Sequence, residues 1–318
     1  MVIGVRGTVA SAATGVVVAL GALAAPAALA APAAAPVEAG SPVVTGWAPA
    51  GRAAVHPGVV TVTAGGGTCT ANFVFTADDR VFLGQAAHCA GTGEATETDG
   101  CSSATRPLGT HVTIHGSDGR DRTGSMVYSS WVAMQADGEP DADICAYNDF
   151  ALVELSSGDT ADVNPSMPFF GGPTGLYDGT LRAGSPVLGY GNSTTRGGVE
   201  ALRPKAGSVV SNAAGGFGHE VYTVSPGIPG DSGNGYLTQN GEAVGVLSTL
   251  NLAPLPVSNG MTDLPKAVRY AEKHGFAGLE LEPGTEPFVP NPAALLPRGL
   301  LAVARSTARS TRRGRACR

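Results

Sequence analysis

Glycine and proline punctuate this chain so densely, at 46 and 23 of 318 residues, that long helices are hard to sustain. Glycine gives up too much backbone freedom in a helix interior, and proline lacks the amide the helix needs. A chain built this way is read as short elements joined by many turns. Runs rich in β-branched and aromatic residues supply the elements. In the first half these are Val59–Thr63, Asn72–Phe75, His111–His115 and Phe150–Leu155. In the second they are Pro186–Tyr190, Ser208–Val210, Glu220–Val224, Gly235–Thr238 and Ala243–Ser248. Each is bounded by turn-forming residues, the pattern of strands. A stretch dense in Pro and Gly, 164–184, separates the two sets. The expected fold class is therefore all-β, with two antiparallel barrels or sandwiches over 56–170 and 171–277. One helix is expected, over Leu264–His274, because Thr262 or Asp263 can cap it, Leu264, Val268 and Ala271 share a face, and Gly275 can stop it.

The ends of the chain read differently. Residues 1–30 have the form of an export signal, with Arg6, an apolar stretch over Gly15–Ala25 and a small-residue cleavage site at Ala28-Leu29-Ala30. Pro26 interrupts the segment and its alanines are only mildly apolar, which argues against a membrane anchor. Residues 31–55 are rich in Ala and Pro and are expected to be a linker or short propeptide. Residues 278–318 are expected to be a disordered tail carrying seven arginines from Arg298 onward and no acid.

Charge and cysteine limit the partners. Between Ala31 and Pro297 there are 12 basic and 26 acidic side chains, a net charge of −14 that argues against a nucleic-acid surface. No stable membrane insertion, and a monomer, are expected. Cys69, Cys89, Cys101 and Cys145 lie together in the first half, with Cys317 alone in the tail. In an exported chain they suggest disulfides, and four cysteines permit three pairings that spacing alone does not choose among.

Three short strings carry candidate chemistry: Ala86-Ala87-His88-Cys89, then Asn148-Asp149-Phe150-Ala151-Leu152-Val153, then Gly230-Asp231-Ser232-Gly233-Asn234. A serine hydroxyl is a weak nucleophile near neutral pH. An imidazole must take its proton, and a carboxylate must hold that imidazole in the right tautomer. A tetrahedral intermediate also needs donors for its oxyanion, and Gly230 and Gly233 allow the backbone to turn tightly enough to supply them. Asp141 and Asp143 compete with Asp149, but only Asp149 runs directly into an apolar strand.

With these strings in the order His, Asp, Ser, the chain over about 57–275 resembles the chymotrypsin-like (trypsin-like) serine peptidases, of the secreted bacterial type. The resemblance implies a secreted serine endopeptidase built on two packed barrels with a C-terminal helix. It implies His88 as general base, Asp149 as its orienting group, Ser232 as nucleophile, and the amides of Gly230 and Ser232 as the oxyanion hole. It implies a Cys69–Cys89 disulfide, which leaves Cys101 with Cys145. Ser248 is similar to the family serine that binds the triad aspartate and opens the specificity-pocket wall, with Thr249 and Leu250 following it. Pro226 stands where the family places the pocket base, with Gly227 beside it, and no acid lies between Val221 and Gly230. A preference for Arg or Lys is therefore not expected, because a buried cation needs a partner. Leu247 replaces the histidine used by glutamate-cutting relatives, leaving small or apolar side chains.

The chain departs from the pattern at Asn234, where a glycine is usual. It also lacks an Ile-Val-Gly-Gly start before Pro57, so Asp231 is expected to find a partner other than a new N-terminus. An α/β-hydrolase is excluded because Asn234 breaks Gly-x-Ser-x-Gly and no suitable histidine follows Ser232. His111 and His115 would stand about 13 Å apart along a strand, too far to share an ion, so no metal or other cofactor is implied. The partners expected are protein or peptide substrates. The alternative is a protease-fold binding module without activity.

Overall fold

The computed structural model describes residues 46–94, 97–252 and 256–290. The expected export signal, most of the Ala/Pro-rich segment, the arginines of the tail and Cys317 lie outside the described residues.

The first half forms β1 (Val60–Thr63), β2 (Thr68–Thr70), β3 (Val74–Ala77), β4 (Arg80–Gln85), β5 (His111–His115), β6 (Asp121–Ser129) and β7 (Ala151–Leu155). Helices α1 (Ser130–Asp137) and α2 (Ala142–Tyr147) fall between β6 and β7. The second half forms β8 (Pro186–Tyr190), β9 (Pro204–Asn212), β10 (Gly218–Thr223), β11 (Gly235–Thr238), β12 (Ala243–Asn251) and β13 (Ser258–Asp263), then α3 (Leu264–Lys273) and β14 (Glu280–Leu281). All strand pairs are antiparallel, so the fold is the all-β class that the sequence implies, with its C-terminal helix.

The two halves close differently. The second is a ring of six strands in the order β10-β13-β12-β11-β8-β9. The first is an eight-stranded sheet, β14-β3-β4-β7-β6-β5-β1-β2, whose end strands do not pair with each other. Its curl is completed by the connection 71–73 instead. Ala71 exchanges backbone hydrogen bonds with Gly58 and Val59, while Asn72 and Phe73 exchange them with Gly84. The two halves are thus a closed six-stranded barrel and a second, curled antiparallel sheet.

Alternation along the strands divides the core. Val74, Val81, Leu83, Ile114, Met126 and Val153 point into the first sheet. Their neighbours Phe73, Phe75, Phe82 and Leu152 point outward. There they meet Leu237 and Val246 of the second half and Leu264, Val268 and Ala271 of α3. A period of two thus gives one sheet two apolar faces, and the outer face joins the halves. Helix α3 begins where Asp263 accepts the amide of Lys266, and its chain turns away at Gly275 with φ +103°.

Two boundaries move. Residues 46–55, assigned to the Ala/Pro-rich segment, lie against 162–164: Ala48 donates to the Val163 carbonyl, and Asn164 Nδ2 donates to the Ala48 carbonyl at 2.6 Å. Val55 has no exposed surface. Residues 278–290, assigned to the tail, are equally held. β14 pairs with β3, Thr76 Oγ1 donates to Glu282 Oε1, and Val289 donates to the Phe170 carbonyl. Helices α1 and α2 were not expected at all. Among the described residues no helix is long and apolar enough to cross a membrane.

Candidate active site

Three segments converge on a cleft of about 1030 Å³ between the halves. His88 sits on the short helical turn Ala87–Ala90 that follows β4. The turn is held by the disulfide from Cys89 to Cys69 of β2 and by the Gly67 amide, which donates to the Cys89 carbonyl at 2.7 Å. The second disulfide joins Cys101 to Cys145 of α2. Both pairings agree with the resemblance.

Asp149 is placed by a local frame the sequence does not advertise. Helix α2, capped by Asp141, ends at Asn148. The Ser130 hydroxyl at the start of α1 then donates to the Asn148 carbonyl at 2.6 Å and accepts the Phe150 amide at 3.1 Å. Asp149 is thereby fixed between them, 3% exposed. Its Oδ1 accepts the backbone amide of His88 at 2.8 Å, and its Oδ2 accepts His88 Nδ1 at 2.6 Å and Ser248 Oγ at 2.5 Å. Accepting from Nδ1 fixes the tautomer with its proton there, which leaves Nε2 free to take one. Burial pushes the His88 pKa down, but the charge and hydrogen bond of Asp149 outweigh it, and the net shift is upward. Burial likewise pushes Asp149 up, but His88 and the hydrogen bonds from His88 and Ser248 hold it below the ordinary carboxylate value.

Ser232 lies on the turn between β10 and β11, lining the same cleft as His88. Its hydroxyl makes no hydrogen bond among the described residues. Its turn is tied to both halves: the Ser232 carbonyl accepts the Thr70 amide at 2.8 Å, and the Gly233 amide donates to the Leu247 carbonyl at 2.7 Å. Gly233 has φ +88°, and a Cβ there would sit 2.6 Å from the Thr70 carbonyl oxygen, so only glycine fits. The amides of Asp231, Gly233 and Asn234 are all used within the protein, whereas those of Gly230 and Ser232 have no acceptor among the described residues. Asn234 is buried and donates to the Gly235 carbonyl, and its own amide closes the turn onto the Asp231 carbonyl at 3.0 Å.

Asp231 finds two partners that sequence reasoning missed. It has no exposed surface, and its Oδ2 accepts Arg196 Nη2 at 2.6 Å and Lys205 Nζ at 2.8 Å, while Oδ1 accepts the Ser193 amide at 2.8 Å. Lys205 is itself fully buried; burial pushes its pKa down to about 8, against the pull of Asp231. Burial acts to raise Asp231, but the two cations hold it low and ionised. No local pattern marks Arg196 or Lys205. The only signal was that an acid next to Ser232 needs a counter-charge.

Of the expected pocket residues, Gly227, Ser248, Thr249 and Leu250 line the cleft. Pro226 does not: its carbonyl points away, accepting Arg196 Nη2 at 2.6 Å, so the wall begins at Gly227. Among the described residues two clusters gather ligand-type side chains, Cys69 with His88 and Cys89, and Asp99 with Cys101 and Cys145. In both the sulfurs are consumed in disulfides and offer no thiolate. His115 is hydrogen-bonded to Asp121 at 2.6 Å on an exposed strand face.

No protein-family model matches the chain, and no curated protein matches it. Among solved structures it is similar to Thermobifida fusca protease A, at 20% identity and TM-score 0.45, over 73% of this chain and 100% of that one. It is similar to a Nocardiopsis protease, at 18% identity and TM-score 0.41, over 72% and 98%. It is also similar to a Cellulomonas bogoriensis chymotrypsin, at 18% and TM-score 0.42, over 72% and 98%.

Proposed function

We propose that this chain is a secreted serine endopeptidase that hydrolyses peptide bonds through an acyl-enzyme on Ser232 and has no preference for Arg or Lys. The observation that carries the reading is the hold of Asp149 on His88, two hydrogen bonds with a third from Ser248 on the same carboxylate, beside a cleft that Ser232 also lines. A histidine held in one tautomer by a buried acid is built to cycle a proton.

In this reading Ser232 Oγ attacks the substrate carbonyl as its proton passes to His88 Nε2. The imidazolium is stabilised by Asp149. The free amides of Gly230 and Ser232 receive the oxyanion, and Asp231, clamped by Arg196 and Lys205, keeps those amides aimed. His88 then protonates the departing amine, and water, deprotonated by the same imidazole, releases the acyl group. The hydrogen bond between Ser232 and His88 is made when substrate closes the cleft, since such contacts tighten in the Michaelis complex. Two disulfides support an oxidising destination, with residues 1–30 as the export signal.

One observation favours a second reading. The unpartnered Ser232 hydroxyl suits a binding module on a protease fold that does no chemistry. A fluorophosphonate probe separates the two. Labelling of the folded protein that disappears in Ser232→Ala supports the peptidase, and a folded protein that takes no label overturns it.

A further inference from the structure

The wall that begins at Gly227 is tied to the opposite wall of the cleft by one side chain. Asn259 of β13 has no exposed surface. Its Oδ1 accepts the Gly227 amide at 2.7 Å, and its Nδ2 donates to the Gly227 carbonyl and to the Thr249 carbonyl, both at 3.0 Å. Gly227 and Thr249 both line the cleft. A carboxamide bonded to both backbones lies between them, and its orientation is fixed: a flipped amide would set N–H against N–H at Gly227. Leu247 crowds the same spot. A Cβ on Gly227 would lie 2.1 Å from Leu247 Cδ1 and 3.0 Å from Asn259 Nδ2.

The chain just before Gly227 is anchored as well. Behind Gly227, Arg196 and Lys205 share the single carboxylate of Asp231 and also reach the Pro226 carbonyl, at 2.6 Å and 3.4 Å.

We propose that Asn259, with Leu247 beside it, closes the floor of the specificity pocket, so that the residue supplying the attacked carbonyl carries a small uncharged side chain such as that of alanine. The inference rests on the peptidase reading above. A longer side chain has to displace Asn259 and strip Gly227 and Thr249 of buried hydrogen-bond partners.

The test is a series of tetrapeptide anilides differing only in that residue, Ala, Leu, Phe or Arg, assayed with the purified protein. Because one methylene in a fitted pocket changes kcat/KM by about 10- to 200-fold, Ala is expected to exceed Leu and Phe by at least about tenfold. Asn259→Gly is expected to raise Phe relative to Ala by at least about tenfold. Since Asn259→Gly removes a clamp as well as a floor, Leu247→Ala serves as a second variant: it opens the same pocket with the clamp intact and is expected to raise Leu relative to Ala. A native profile favouring Phe or Arg overturns the inference, as does an unchanged order in both folded variants. Fluorophosphonate labelling of Ser232 distinguishes the two failures. Label with a large-residue preference sinks only the closed floor; a folded native protein without label sinks the peptidase reading and the floor with it.

Discussion

Lys205 Nζ lies 2.8 Å from Asp231 Oδ2, and neither side chain has any exposed surface. A buried ion pair of this kind is held by further hydrogen bonds, here from Arg196 and from the amides of Ser193 and Ile228. It stands next to Ser232 in sequence, so the backbone that presents this hydroxyl is anchored by charge rather than by apolar packing.

Removing the anion should cost more than removing one cation. Asp231→Asn leaves two buried cations without their carboxylate and is expected to destabilise the fold by about 3–5 kcal/mol. Lys205→Met leaves Asp231 paired with Arg196 and is expected to cost less, about 1–3 kcal/mol. Urea unfolding of both variants checks the order. Equal losses would mean that Arg196 does not share the load.

The pairing of His88 with Asp149 sets a pH dependence. The net upward shift of His88 means that activity, which needs neutral imidazole, should rise with pH through an apparent pKa above the ordinary histidine value of 6.5. For stability the sign is opposite. A folded-state pKa above the unfolded one means the native protein binds the extra proton, so this stabilisation is complete below 6.5 and fades as pH climbs through the folded value. Asp149→Asn removes the raising influence and leaves burial to lower His88. Its activity is expected to drop about 10⁴-fold, with the remaining pH limb displaced to lower pH. A pH profile of kcat/KM for both proteins is the measurement, and an unmoved limb would contradict the pairing.

Gly233 is expected to tolerate no side chain. Gly233→Ala places a methyl group 2.6 Å from the Thr70 carbonyl oxygen at φ +88°, a strain of about 1–3 kcal/mol that the turn can relieve only by moving Ser232. Loss of fluorophosphonate labelling greater than the loss of folded protein, read by circular dichroism on the same sample, is the expected outcome. Full labelling would show the turn to be more pliable than its contacts imply.

The candidate triad was legible because each of its members sits in a short run whose neighbours repeat a local pattern, apolar before His88, apolar after Asp149, glycine around Ser232. Helix α3 was legible for the same reason: cap, face and stop fall within a dozen residues. What was hidden is held by distant partners. β6 escaped notice because two of its inward positions are Arg122 and Gly124, and Arg122 is buried only by virtue of Asp118 and Asp162. β13 buries Ser258, Asn259 and Thr262, so no apolar alternation marks it. Lys205 and Asn259 read as ordinary surface residues until the barrel closes and brings Asp231 and Gly227 to them. Hydrophobic periodicity finds elements that bury oil and overlooks those that bury hydrogen bonds.

The late strand β14 has a consequence for biosynthesis. It supplies the outer edge of a sheet whose other members were all made more than a hundred residues earlier, so the N-terminal half of the protein leaves the ribosome one strand short. Until residues 280–281 emerge and lie beside 75–76, β3 offers open backbone to any passing chain. Maturation of the first half therefore waits on synthesis of the second.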